Sequence, residues 1–210
     1  MSPAPKTLTL PECHALIEAL LFKDGTDKQQ SHGIRNATMG LCMLDAGLRV
    51  GEVCRLRKSD LWFNSEPVTS IIVGTGIAEK GSERQVPITQ RLSEALKVMN
   101  YYWWSELQDV PAGPAFYGRY PRQSLTTRQV QRIIATAAHK ALGRSIHPQI
   151  LRHTFASRLM RKTNTRNVQV LLGHKNLSST QIYTHPNQQD LVEAIQTLDP
   201  GPLSNRPGSQ

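Results

Sequence analysis

With 210 residues, of which 39% are hydrophobic and 20% charged, the chain has enough apolar material for a real core, which excludes global disorder. Lys and Arg total 25 against 16 Asp and Glu, and the resulting +9 favours a polyanionic partner such as nucleic acid without proving one. There is no apolar run of about 18 residues and no secretory-type start, and the three cysteines Cys13, Cys42 and Cys54 form no C-x-x-C pair. A membrane span, a disulfide framework and a zinc knuckle are therefore not expected, and a reducing cytoplasm fits best.

The ends, MSPAPK and DPGPLSNRPGSQ, are polar and rich in Pro, Gly and Ser, so residues 1–6 and 199–210 are expected to be flexible flanks of one domain over 7–198. Thr9 followed by Glu12, with Pro11 in the first turn, predicts a capped helix burying Leu16, Ile17, Leu20 and Leu21. Residues 24–33 read as a polar loop. A second helix is expected over about 34–46, with Gly47 as its stop, and a short one over 52–56. Residues 69–73 and 84–88 are β-like runs joined by a Gly-rich connection that holds Lys80.

Helical pattern returns over 91–107, where Leu92, Leu96 and Met99 share a side and Tyr101, Tyr102, Trp103 and Trp104 read as core or interface. Residues 111–121 read as loop. A long helix over 126–142 carries Val130, Ile133, Ile134 and Ala137 on one face and stops at Gly143. Further helices are expected over 150–162, 168–172 and 190–198. The fold class is mainly α with a small antiparallel β-sheet (α+β), without internal repeats.

The most informative stretch is 146–185, IHPQILRHTFASRLMRKTNTRNVQVLLGHKNLSSTQIYTH. Its L-R-H-T-F-A, L-L-G-H and I-Y-T-H segments, with DAGLRVGEVCRLRKSDL and EKGSERQVPIT upstream, resemble the motifs of the tyrosine recombinases, or phage-type integrases. The resemblance runs from about residue 7 to 198. It implies the catalytic-domain fold of that family, with Arg49, Lys80, Arg152, His174 and Tyr183 at catalytic positions and Glu52 as a supporting acid. It implies cleavage and rejoining of double-stranded DNA through a 3′-phosphotyrosine, without metal, cofactor or ATP.

The residue types suit that chemistry. Forked, permanently charged guanidiniums at Arg49 and Arg152 can stabilise charge on phosphoryl oxygens, and His174 can donate a further hydrogen bond. Tyr183 offers a phenol of ordinary pKa about 10, which attacks only if a cationic pocket and a base help remove its proton. Lys80 would protonate the departing 5′-oxygen. The position three residues before the second arginine, usually His in the family, is Gln149. Gln accepts no proton near neutral pH, so slower chemistry is expected, and His147, two residues upstream, is not expected to inherit the role.

Structural readings stand beside these. Arg49 could simply pair with Glu52 on the surface, and Lys80 could be only solvated. His153 is expected to be a buried structural histidine and His185 local structure near Tyr183. Arg55, Arg57, Lys58, Arg158, Arg161, Lys162 and Arg166 are candidates for phosphate contact.

The resemblance also sets expectations for the assembly. Many family members carry about a hundred further N-terminal residues that complete a clamp on DNA; a core-binding domain is expected to be absent here, the chain being either a fragment or a short form similar in length to the fimbrial-switch DNA invertases. Weak binding as a monomer, a homo-oligomer (a tetramer on paired sites) and accessory DNA-bending proteins follow, with residues 190–198 as a subunit contact. The expected location is the cytoplasm of a bacterium or phage host, associated with the nucleoid. Two other readings are a non-catalytic DNA-binding protein that kept the fold, motivated by Gln149, and a DNA-relaxing type IB topoisomerase.

Overall fold

The computed structural model describes residues 7–22, 25–78, 82–105, 113–173, 192, 195, 196 and 198. Helix α1 (Leu10–Leu21) opens on the expected box: the Thr9 N–H donates to Glu12 Oε2 at 2.8 Å and Thr9 Oγ1 accepts the Glu12 N–H. Its buried side comprises Cys13, Leu16, Ile17 and Leu20, while Leu21 is only half-buried.

Residues 27–33 are helix, not loop. Helix α2 (Asp27–Leu44) begins on a second capping box, Thr26 with Gln29, and its exposed first turns have no apolar residue to reveal a helical period. Gly33 lets α1 and α2 cross closely, since a Cβ there would stand 1.9 Å from the Leu21 carbonyl oxygen. From Gly33 onward every α2 residue is buried, and α1, α4 and α6 pack around this helix. Gly47, at φ +60°, turns the chain after α2 into α3 (Val50–Arg55).

A 3-10 turn (Lys58–Asp60) leads to a hairpin not anticipated from the sequence, β1 (Trp62–Phe63) with β2 (Glu66–Pro67), turned by Asn64 and Ser65 at positive φ. The expected hairpin is present as antiparallel β3 (Ser70–Val73) and β4 (Arg84–Pro87), with Ser70 opposite Pro87 and Val73 opposite Arg84. Helix α4 (Gln90–Tyr102) ends before the aromatic pair that it was expected to include; Trp103 and Trp104 are buried core residues, and Tyr101 is exposed.

Helix α5 (Thr127–Leu142) stops at Gly143 as expected, in the left-handed region. Helix α6 (Gln149–Met160) follows Pro148, and α7 (Thr165–Leu172) starts three residues before its expected apolar run because Asn164 caps it, accepting the Asn167 N–H at 2.9 Å. The described elements share one hydrophobic core. Most of the expected 190–198 helix lies outside the described residues, and none of the described helices is long and apolar enough to cross a membrane.

Candidate active-site cleft

Two turns bring the arginines together. Arg49 is the residue that opens α3, and Glu52 lies in its first turn. The Arg49 backbone N–H donates to Glu52 Oε2 at 2.7 Å, and its Nη1 donates to Oε1 at 3.0 Å. Asp45, fully buried, fixes the approach to this turn: Arg91 reaches it with Nε at 2.9 Å and Nη2 at 2.5 Å, and Thr89 Oγ1 donates at 3.0 Å.

Arg152 comes from the first turn of α6. Its Nη1 donates to the Gly47 carbonyl at 2.5 Å and its Nη2 to the Leu172 carbonyl at 2.7 Å, so one guanidinium ties the end of α2 to the end of α7. Nη1 also lies 4.0 Å from Glu52 Oε2. Glu52 is 0% exposed and has a third cationic neighbour that the sequence reading passed over: Arg84 of β4 donates to Oε1 at 2.9 Å and to Oε2 at 2.7 Å.

Burial alone pushes the Glu52 carboxyl up. Hydrogen bonding and charge from Arg84, the Arg49 N–H and the charge of Arg152 outweigh that penalty and hold it below the usual carboxylate range. The Arg49–Glu52 pair considered as a surface contact is thus an inward-facing one. The Arg49 side chain keeps 28% exposure, enough to present its guanidinium to a ligand.

An open cleft of about 400 Å³ lies over these groups, lined by Arg49, Arg152, Gln149, His147 and His153 together with Leu48, Val50 and Leu172. Gln149 is exposed at the start of α6. The chain turns at Pro148, with the Ile150 N–H donating to the His147 carbonyl at 2.9 Å, and this brings His147 back over the helix start. His147 Nδ1 accepts the Gln149 N–H at 3.2 Å and Nε2 lies 3.2 Å from the Gln131 amide nitrogen. His147 and Gln149 both line the cleft, and the contact between them runs from the Gln149 backbone N–H to the His147 ring. His153 lines the same cleft half-buried, where a buried structural histidine was expected.

Lys80, His174, Tyr183 and His185 lie outside the described residues. The residue before His174 is placed: Gly173, at φ +64°, ends α7 against Ser82 and Arg84, where a Cβ would stand 2.9 Å from Ser82 Cβ.

The profile of the phage integrase family matches residues 8–190. This chain belongs to that family. Tyrosine recombinase XerA of Pyrococcus furiosus is 34% identical over 193 residues, covering 91% of this chain and 61% of that protein. The crystal structure of XerA recombinase superposes with a TM-score of 0.63 at 28% identity, over 91% of this chain and 62% of that one. The XerH site-specific recombinase bound to palindromic difH substrate, a post-cleavage complex, gives 0.58 at 26% identity, over 90% and 52%. The chain spans about half to two thirds of the length of the curated relatives it matches.

The other basic residues of the chain divide by environment. Arg57, Arg161 and Lys162 are exposed. Arg55 is exposed and donates Nε to the Ile77 carbonyl at 2.9 Å, and Lys58 is half-buried, its ammonium 5.7 Å from the Trp104 ring centre. Arg158 and Arg166 are half-buried, and Arg158 Nη1 has no acceptor among the described residues. A second, larger open groove of about 1010 Å³ is lined by Lys28, Arg35, Trp103, Arg119, Gln129 and Arg132, among others.

Proposed function

We infer that this chain is the DNA-cleaving and rejoining part of a site-specific recombinase. The observation that carries the reading is the convergence of Arg49 and Arg152 on one open cleft, Arg49 held by the buried carboxylate of Glu52 and Arg152 by the Gly47 and Leu172 carbonyls. A phosphodiester in that cleft meets two permanent cations whose side chains are already oriented, which suits stabilisation of a phosphorane-like transition state.

In the proposed reaction the Tyr183 hydroxyl loses its proton to water as its oxygen attacks phosphorus, the bond from phosphorus to the 5′-oxygen breaks, and Lys80 gives that oxygen a proton. The 3′-phosphotyrosine retains the energy of the broken bond, and attack by another 5′-hydroxyl reverses the step without ATP. His174 donates a hydrogen bond to the phosphoryl group. Gln149 can donate or accept a hydrogen bond there but takes up no proton, so cleavage is slow.

Double-stranded DNA is the proposed partner. Support comes from the +9 charge, the exposed Arg57, Arg161 and Lys162, the groove lined by Lys28, Arg35, Arg119 and Arg132, and the substrate-bound state of the XerH relative. Strand exchange between two sites calls for a homo-oligomer, proposed as a tetramer, with accessory DNA-bending proteins bringing the sites together and residues 190–198 in the subunit contact. The second reading, a DNA-binding protein without catalysis, is favoured by one observation, the non-titrating Gln149 on the cleft wall. Mass-spectrometric mapping of a DNA-linked peptide after incubation with a nicked duplex separates the two: a nucleotide adduct on Tyr183 supports the recombinase, and bound but unmodified protein supports the alternative.

A further inference from the structure

We propose that Arg84 is a positioning residue of this cleft, acting through Glu52 on Arg49; the proposal rests on the recombinase reading above. Arg84 is not part of the cleft wall, and its side chain is 1% exposed. Its two hydrogen bonds, at 2.9 and 2.7 Å, engage both oxygens of Glu52 and so fix the plane of the carboxylate. The same two oxygens hold Arg49: Oε2 takes its backbone N–H and Oε1 its guanidinium. A rotation of the carboxylate away from the Arg84 fork misaligns both contacts at once.

Stability alone gives little reason for such a pair. A buried ion pair can often be replaced by apolar residues of similar volume at no loss, because desolvation offsets the attraction. Glu52, however, must stay ionised at 0% exposure to serve Arg49, and Arg84 is the neighbour that contributes most to holding its carboxyl low. Arg84 also joins two other segments. It stands on β4 of the hairpin whose connection carries Lys80, and its Cδ lies 3.1 Å from where a Cβ on Gly173, the residue before His174, would stand. A lysine supplies the charge but not the fork, so it restores the orientation only in part.

The test uses the whole chain with Arg84→Lys, Arg84→Met, Glu52→Gln and the Glu52→Gln/Arg84→Met double variant. Arg84→Met is expected to slow adduct formation on a nicked duplex roughly 100-fold, the order associated with an ångström of misplacement, with duplex affinity nearly unchanged. Arg84→Lys falls between, and its adduct formation fails at a higher pH than in the unmodified protein because Glu52 is held less firmly. The double variant is no slower than the slower single one, as expected when both act through one contact.

A second readout needs no cleavage. The side-chain nitrogen resonance of Arg49, followed by NMR, shifts in Arg84→Lys and Arg84→Met while that of Arg91 stays in place. Multiplicative losses in the double variant, or an Arg49 resonance unmoved in both Arg84 variants, overturn the proposal. Absence of any adduct from the unmodified protein counts instead against the recombinase reading, and the Arg49 resonance still decides the role of Arg84.

Discussion

Arg91 grips Asp45 with two hydrogen bonds, at 2.9 and 2.5 Å, in a part of the core where neither side chain is more than 3% exposed. The pair ties the start of α4 to the end of α2, four residues before Arg49. It fixes where the turn carrying Arg49 begins. Asp45→Ala leaves the Arg91 guanidinium buried without its counter-charge, which is expected to destabilise the fold by about 3–5 kcal/mol. Urea unfolding measures this, and a midpoint unchanged from the unmodified protein would show that the pair does not hold the turn in place.

Gly47 serves the site through its backbone. At φ +60° it occupies the left-handed region, and a Cβ would stand 2.4 Å from the Phe155 ring, while its carbonyl accepts from Arg152. Gly47→Ala therefore combines backbone strain with overpacking, expected to cost about 1–3 kcal/mol or more. The same change displaces the carbonyl that holds Arg152, so adduct formation is expected to fall further than the loss of folded protein explains. Parallel measurement of melting and of the single-turnover rate checks both parts.

Arg152 has two tasks. Arg152→Ala removes a cation from the cleft and leaves the Gly47 and Leu172 carbonyls without their donor. Cleavage is expected to fall by orders of magnitude, and stability by about 1–3 kcal/mol. Equal cleavage by this variant, measured where it is still folded, would sink the assignment of Arg152.

Glu52 gives the fold a pH dependence whose sign is set. Its carboxyl titrates below the ordinary range in the folded protein, so the unfolded chain takes up the proton first as pH falls. The contribution of Glu52 is therefore fully present above the unfolded pKa and is lost as pH falls through the lowered folded value. In urea titrations from about pH 7 to about pH 3, Glu52→Gln is expected to show a shallower loss of stability on acidification. An equally steep loss would mean that other carboxylates carry the acid limb.

The arginines were legible because their signals are local or sit in long spaced motifs: Glu52 lies one helical turn from Arg49, and Arg152 follows a recognisable run. Arg84 was not, since its partner is 32 residues away and a charged residue in a short strand gives no sign of being buried. The helix start at Asp27 was hidden because Thr26 and Gln29 supply the cap while the first turn offers no apolar face. The place of His147 on the cleft wall could not be read from spacing along the chain, because it depends on the turn at Pro148 that folds the residue back over the start of α6. The β1–β2 hairpin escaped notice because two-residue strands are too short to show alternation.

Cleavage of DNA by Tyr183 in the cleft bearing Arg49 and Arg152 is the proposed activity. Single-turnover capture on a nicked duplex, read on a denaturing gel, is the deciding experiment. A slow covalent adduct is expected from the unmodified protein, none from Tyr183→Phe, and a larger yield from Gln149→His. No adduct from either the unmodified protein or Gln149→His, under conditions where both bind the duplex, would contradict it.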